Sequence, residues 1–226
     1  MKKFKSILCL MLLVLVSCTA LAACGRTISY GFDTFSKDIF DGNANLTETK
    51  AGIVFNKANA NADYDMSGAT YFGEEDKNLD WDKNETTFTF TLDLSAMENG
   101  DFTAWVLSFN KKVDETYSHV DEIRFGIVKT AEGYKANEMM GVNHGNDEYA
   151  TILNNAKDVT ASNNKVKVAI TVKADTEKLD YTFTFNDGAK IENSRQVANE
   201  IVGFRSLWNA ATSCDGIVLS NLEKTK

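Results

Sequence analysis

Hydrophobic and polar residues alternate with a period of two along several segments of this chain. In the clearest of them the alternation covers seven consecutive positions: Thr87, Phe88, Thr89, Phe90, Thr91, Leu92 and Asp93. The same alternation recurs over residues 165–173 and 180–185. Because successive side chains of a β-strand point to opposite faces of the sheet, this period predicts strands with one buried and one solvated face.

Other segments are apolar without a clear alternation. Residues 102–109 and 123–128 are almost continuously apolar, which predicts strands in the middle of a sandwich or beneath a partly covered face. Residues 28–35, 202–208 and 217–222 complete the set of predicted strands.

Turn-forming sequences separate these segments. Four of them contain residues that tolerate positive φ: Glu98-Asn99-Gly100, Glu132-Gly133, Asn186-Asp187-Gly188 and Asp215-Gly216. Short turns of this kind join antiparallel strands, and a helical pattern is restricted to residues 148–156 and 194–201. The sequence therefore predicts an all-β fold, an antiparallel two-sheet β-sandwich of the jelly-roll type with one or two short helices.

The first residues have the pattern of a secretory signal. Three lysines at positions 2, 3 and 5 precede an apolar run over residues 7–16, which is too short to span a hydrocarbon core of ~30 Å as a helix. The segment Leu21-Ala22-Ala23-Cys24-Gly25 resembles the lipobox of bacterial lipoproteins, with a weaker second match ending at Cys18. This resemblance implies that Cys24 receives a diacylglycerol before cleavage. The alternative is ordinary signal cleavage after Ala23.

We therefore expect residues 1–23 to be a lipoprotein signal peptide and residues 24–226 to form a single β-sandwich domain. The expected location is the extracytoplasmic face of the cell membrane, with anchoring through the N-terminal lipid. Few residues separate Cys24 from the first predicted strand, so the domain is expected close to the membrane. Cys9 and Cys18 leave with the signal and Cys24 is lipidated, which leaves Cys214 without an intramolecular disulfide partner. We expect Cys214 to be a partly buried small residue, and the protein to be a monomer.

Charge excludes one class of partner. The chain has 24 Lys and Arg against 32 Asp and Glu, a net charge of −8. Removal of residues 1–23 takes away three lysines and lowers the net charge to −11. Such a chain lacks the surplus of positive charge that neutralises phosphates, so nucleic acid is not an expected partner.

Residues 86–222 resemble the concanavalin A-like lectin and laminin-G superfamily. The resemblance is carried by Asp101–Phe109, by the predicted hairpin of residues 166–173 and 179–185, and by the closing strand of residues 217–222, which in that superfamily returns beside the first strand. It implies a jelly-roll sandwich with carbohydrate as a candidate ligand. Residues 36–85 have no pattern that we can assign.

Some enzymes of this superfamily hydrolyse β-glucans with two glutamates and an aspartate at alternate positions of one strand. A retaining mechanism needs two carboxyl groups about 5 Å apart. The motif Glu-x-Asp-x-x-Glu is absent from the sequence, and Asp121 and Glu122 are adjacent, so they would face opposite sides of a strand. His119 and His144, 25 residues apart without cysteine partners, do not match a zinc motif. These observations favour a non-catalytic protein.

Six residues are candidates for ligand contacts. Asp63 and Asp65 belong to a run of alternating Asn and Asp whose oxygens suit calcium, although the spacing fails the EF-hand pattern and a plain polar loop is the alternative. Tyr71 and Trp81 lie in a polar segment where an aromatic ring has little reason to be buried, and aromatic faces bind sugar rings.

Arg124 and Arg205 interrupt apolar strands, so each is either plain surface or a donor to a ligand. Trp105 and Trp208 are expected in the core. The favoured function is a cell-surface lipoprotein with a non-catalytic, lectin-like domain that binds carbohydrate or a cell-envelope polymer. The alternatives are a glycoside hydrolase or polysaccharide lyase of the same fold, or an adhesive or structural envelope protein.

Overall fold

The structure is a computed structural model that describes residues 27–30, 47–57, 63–65, 85–113, 116–139, 148–174, 177–197 and 201–225. These residues form fourteen strands and one helix: β1 (Thr27–Tyr30), β2 (Thr47–Thr49), β3 (Gly52–Phe55), β4 (Asp63–Asp65), β5 (Thr86–Asp93), β6 (Phe102–Val113), β7 (Thr116–Thr130), β8 (Gly133–Glu138), α1 (Glu148–Leu153), β9 (Lys157–Val159), β10 (Lys165–Ala174), β11 (Lys178–Phe185), β12 (Ala189–Gln196), β13 (Ile201–Thr212) and β14 (Ile217–Thr225). The predicted all-β class is confirmed.

The strands form two antiparallel sheets. The eight-stranded sheet has the order β12-β11-β10-β5-β14-β3-β2, with β1 also paired to β14. The six-stranded sheet has the order β4-β13-β6-β7-β8-β9. The closing strand β14 returns beside β1 in the register Thr27 to Thr225, as expected for the last predicted strand.

One apolar core fills the space between the sheets. The predicted alternation in β5, β10 and β11 is confirmed, because every second residue of these strands is buried and the others reach solvent to varying degrees. Trp105 lies in this core with no exposed surface, as predicted, and its ring meets the Phe55 ring edge-on at 4.9 Å between centroids.

The outer face of the six-stranded sheet has a second, smaller apolar cluster. Ala104 and Val106 of β6, Val128 of β7 and Met139 pack there against Ile152 of α1. The helix thus covers part of this face, and β6 and β7 are apolar on both sides where it does. This explains the continuous apolar character of residues 102–109 and 123–128.

The turns lie where the sequence predicts them. Gly100, Gly133 and Gly216 have φ of 98°, 138° and 89°, and Asn186 and Asp187 have φ of 49° and 55°. Left-handed backbone of this kind is most readily adopted by Gly, Asn and Asp, so the four predicted turns are confirmed.

One of the two predicted helices is present. Residues 148–156 contain α1, whereas the helix predicted over residues 194–201 is wrong, because Ser194, Arg195 and Gln196 pair with β11 as part of β12. The strand β12 is at the edge of its sheet and largely exposed, so its residues need not alternate between apolar and polar. This segment is a strand because its backbone pairs with β11, and the local sequence does not show that pairing.

Gly126 allows α1 to lie close to the six-stranded sheet. A β-carbon at this position would lie 2.4 Å from Cδ1 and Cγ1 of the buried Ile152 and 2.7 Å from the sulfur of Met139. We expect Gly126→Ala to lower the free energy of unfolding by about 1–3 kcal/mol, as overpacking of a filled core does.

Urea unfolding followed by tryptophan fluorescence measures this effect. Gly188→Ala is the matched control, because its β-carbon would meet only ordinary contacts at 3.6 Å or more. We expect that control to stay within about 0.5 kcal/mol of the wild type. Equal stability of the two variants would contradict the close packing of α1.

Candidate functional site

The outer face of the six-stranded sheet has a part that α1 leaves uncovered. Trp208 of β13 lies directly opposite Val106 of β6, and Val106 lies directly opposite Arg124 of β7. These three residues form a cross-strand row, which we call the outer row. Strands in a sheet are about 4.8 Å apart, so the Cα atoms of Trp208 and Arg124 are separated by roughly 10 Å.

Trp208 is the aromatic residue of the outer row. The residue is partly exposed, and its indole N–H donates a hydrogen bond of 2.9 Å to Oγ of the buried Ser108. The expectation that Trp208 lies in the core is wrong, because its neighbour Leu207 is the residue that points into the space between the sheets. Trp208 packs instead against the outer apolar cluster.

Arg124 forms an ion pair with Glu122 on the same face. The guanidinium Nε donates to Oε2 of Glu122 at 2.9 Å, and Nη2 donates to the same oxygen. The two side chains are 23% and 18% exposed, so solvent reaches both of them. Residues two apart in a strand share a face, and this spacing is what brings the guanidinium to the carboxylate.

Hydrogen bonds from two other segments hold the backbone carbonyl groups of Glu122 and Arg124. The guanidinium of Arg195, on β12 of the opposite sheet, donates through Nη2 to the carbonyl oxygen of Glu122 at 2.7 Å. The amide of Met139 donates to the carbonyl oxygen of Arg124 at 2.9 Å. These bonds fix the strand that presents Glu122 and Arg124, which favours a preorganised site.

A shallow hollow lies between the ion pair and the helix. Arg124, Met139 and Glu148 border it, and small apolar residues of β6 and β13 also line it: Ala104, Val106, Ala210 and Ala211. This part of the face therefore offers one aromatic ring, one planar ion pair and an apolar floor. Such a combination can contact the C–H surface of a polar ring and hydrogen-bond its hydroxyl groups.

Strand β4 extends the same face at its edge. Asp63 pairs in register with Trp208, and Asp65 pairs with Ser206. The side chains of both aspartates lie outside the described part of the chain, so the calcium site at Asp63 and Asp65 stays a prediction. Within the described residues, no group of three or more His, Cys, Asp and Glu has the spacing of a metal site.

The remaining predicted site residues are placed only in part. Arg205 lies in β13, and its side chain is not among those described. Tyr71, Trp81, His144 and Cys24 lie outside the described residues. Of the four predicted ligand-binding residues, the structure therefore places the side chain of Arg124 alone, on the solvated face expected for it.

Trp208, Ser108 and Glu122 were not among the predicted site residues. The spacing of Glu122 and Arg124 could have predicted that the two side chains lie together, because alternate residues of a strand share a face. No local signal separates Trp208 from the core, because irregularities in the pairing of β13 with β6 interrupt its alternation on both sides of Leu207 and Trp208.

The outer face of the eight-stranded sheet is a weaker candidate. A groove of about 420 Å³ runs over Thr171, Thr182 and Ser194 beside Lys173 and Asp180. Hydrogen bonds from Lys178 and then Ser194 hold the pKa of Asp180 below its ordinary value. Tyr181 borders the groove but is 3% exposed, so the groove offers hydroxyls and charges without an accessible ring.

Cys214 is partly buried, as predicted. Burial and then the nearby Asp101 carboxylate raise the pKa of its thiol. The thiol therefore stays protonated at neutral pH, which does not favour a nucleophilic role.

Comparison with known proteins gives a likeness of fold. No protein-family model matches the chain, and no curated protein matches it. Among solved structures, the metal-free lectin I-B4 from Griffonia simplicifolia has a TM-score of 0.48 and 12% identity over 89% of this chain and 98% of its own. Peanut lectin has a TM-score of 0.46 and 11% identity, with coverage of 88% and 98%.

A GH43 glycoside hydrolase engineered for both endo-xylanase and exo-arabinofuranosidase activity also matches, with a TM-score of 0.39 and 14% identity. That match covers 64% of this chain, which spans only 29% of the hydrolase. At such low identities these likenesses concern the arrangement of strands alone. Within the described residues, no helix is both long and apolar enough to cross a bilayer.

Proposed function

We propose that this protein binds carbohydrate without cleaving it, through the part of the outer face of the six-stranded sheet that α1 does not cover. The observation that carries the proposal is the partly exposed Trp208, whose indole is fixed by its hydrogen bond to Ser108 and which lies in a cross-strand row with Arg124. A fixed ring loses little side-chain entropy when a ligand packs against it. A sugar ring can stack on the indole while its hydroxyl groups meet the Glu122 and Arg124 pair.

The dimensions of the outer row suit a short glycan segment. Trp208 and Arg124 are roughly 10 Å apart at their Cα atoms, which leaves space for a sugar ring on the indole and a polar contact beyond it. The hollow between Arg124 and Glu148 is small and apolar at its floor. Its volume of about 10 Å³ is that of a water-sized group, so a glycan would lie across the hollow rather than inside it.

The contacts of Glu122 suit ligand binding. Its Oε2 accepts two hydrogen bonds from Arg124, which hold the carboxylate in place on the sheet face. A carboxylate fixed in this way can accept a hydrogen bond from a ligand hydroxyl.

The proposed location is the outer face of the cell membrane, with the diacylglycerol on Cys24 as the anchor. The proposal rests on the sequence Leu21-Ala22-Ala23-Cys24-Gly25 and on the acidic composition of the chain. An acidic domain is repelled by anionic lipids, so the acyl chains have to provide the attachment. The proposed partner is a carbohydrate or a cell-envelope polymer, bound by a monomer.

The test is a glycan array probed with the soluble domain of residues 25–226, with and without calcium, followed by a titration of the best ligand. Trp208→Ala is expected to weaken binding at least about tenfold, because it removes the stacking surface. Thr182→Ala, on the outer face of the other sheet, is the control and is expected to keep the wild-type affinity.

Two outcomes would contradict the proposal. One is the absence of binding to plant, host and bacterial glycans in both calcium conditions. The other is equal weakening by the Trp208 and Thr182 variants. Specific recovery of a protein partner from envelope extracts, without any glycan binding, would support the adhesive alternative instead.

A further inference from the structure

We infer that Glu122 determines the charge class of the ligand: by neutralising Arg124, it makes the outer row select uncharged glycans over acidic ones. This inference rests on the proposed function and concerns the specificity of the same site. It starts from the fact that a guanidinium is the side chain best shaped to hold a carboxylate with two parallel hydrogen bonds. An exposed arginine beside a sugar-binding ring would therefore favour uronic acids.

The geometry of Arg124 opposes that preference. Its Nε and Nη2 groups, which form one edge of the fork, already donate to Oε2 of Glu122. An incoming carboxylate that used this edge would have to displace Glu122. The backbone of Glu122 is held by pairing to Ser108 on β6 and by the hydrogen bond from Arg195, so a displaced carboxylate could move only by rotation of its own side chain. Two carboxylates would then compete for one guanidinium.

The charges of the side chains around Arg124 also disfavour an acidic ligand. Glu122 and Glu148 both border the area around Arg124, so these three side chains sum to one negative charge. The whole chain is also acidic, with a net charge of −8. The charge of these three side chains and the net charge of the chain both disfavour an anionic ligand, whereas a neutral sugar can donate hydroxyl groups to the carboxylates and accept from the guanidinium.

The partial exposure of the pair makes Glu122 replaceable. With 18% of its side chain exposed, Glu122 reaches solvent and is not enclosed in the core. Glutamine has the same shape and keeps an oxygen that can accept from Arg124, but it carries no charge. Glu122→Gln therefore changes the charge of the site with little change in packing.

The experiment compares neutral and acidic polymers by affinity gel electrophoresis at fixed ionic strength. Laminarin, xylan and galactomannan are the neutral probes, and polygalacturonate and alginate are the acidic ones. For the wild type, we expect retardation by a neutral polymer and binding to both acidic polymers that is at least about tenfold weaker, because Arg124 is already paired. For Glu122→Gln, we expect acidic binding to rise about five- to tenfold, with a smaller change for the neutral polymer.

Matched variants separate this effect from a general change of charge. Glu192→Gln is the control, because Glu192 also forms an ion pair with a cation two residues away, Lys190, but on the outer face of the other sheet. It removes the same charge and is expected to leave the preference unchanged. Glu122→Asp keeps the charge and is expected to keep the preference for neutral polymers. The double variant Glu122→Gln with Arg124→Gln is expected to lose the gained acidic binding.

The outcomes distinguish this inference from the proposed function. Wild-type binding to acidic polymers as strong as to neutral ones would overturn the inference and leave carbohydrate binding intact. An unchanged ratio in a folded Glu122→Gln variant, or the same gain in Glu192→Gln, would also overturn it. If Glu122→Gln fails to fold, loss of the preference for neutral polymers in Glu122→Asp, or its reversal in an Arg124→Gln single variant, would overturn the inference. Absence of any polymer binding would overturn the proposed function itself.

Discussion

Phe125→Ala is expected to lower the free energy of unfolding by about 3–5 kcal/mol. Phe125 is fully buried in the middle of the space between the sheets. Its ring centroid lies 5.2 Å from that of Phe183, 5.7 Å from Phe185 and 6.3 Å from Phe90, so it joins the six-stranded sheet to three residues of the other one. Removal of the ring leaves a cavity that rigid neighbours cannot fill, which adds to the lost transfer free energy.

Urea unfolding, followed by circular dichroism, measures this loss. Phe102→Ala is the matched control, because Phe102 is partly buried on the outer face of the neighbouring strand, where solvent and side-chain movement can fill the space. We expect the control to lose about half as much or less. A domain of this size has a total stability of about 5–15 kcal/mol, so the Phe125 variant should unfold at a clearly lower urea concentration. Equal losses in the two variants would contradict the central place of Phe125.

Cys24→Ala is expected to move nearly all of the protein from the membrane fraction to the soluble fraction or the medium. Each methylene group of an acyl chain buried in the bilayer contributes about 0.8 kcal/mol, and stable anchoring needs two chains or one chain with a basic patch. Without residues 1–23 the chain has a net charge of −11, so its overall charge opposes attachment to anionic lipids without the acyl chains. The apolar run of residues 7–16 is itself too short for a stable transmembrane helix.

Fractionation together with incorporation of labelled palmitate tests this expectation. Cys18→Ala is the matched control, because Cys18 ends the weaker second match to a lipobox, and that variant should stay in the membrane and keep its label. Continued membrane association of the Cys24 variant would contradict the proposed anchor. Release of the wild type would instead favour cleavage after Ala23 without lipidation.

The strands with one buried and one solvated face show how well the local sequence pattern predicts this fold. β5, β10 and β11 each have one face in the core and one face toward solvent, so the chemistry of their residues alternates and the strands were predicted closely. The turns followed from residues that tolerate positive φ. The error over residues 194–201 has the opposite cause, since β12 is an edge strand whose residues meet solvent at most positions.

The candidate site was predicted less well than the fold. Arg124 could be recognised as a charge within an apolar strand, and its face follows from the alternation of Ile123 and Phe125 on either side of it. Trp208 could not be assigned in this way, because register shifts on both sides of residues 206–209 interrupt the period of two. Hydrophobicity alone favours the core for a tryptophan, and only the pairing with β6 places its ring outside.

The order of apolar and polar residues was sufficient to establish the all-β class, the antiparallel connections and the positions of most strands, because each depends on one residue and its near neighbours in the chain. Which face of β6 and β7 meets the other sheet, and which meets α1, depends on contacts between distant segments. The same contacts bring Trp208 beside Ser108 and into register with Arg124. A binding surface assembled across β13, β6 and β7 therefore has no counterpart in any single stretch of sequence.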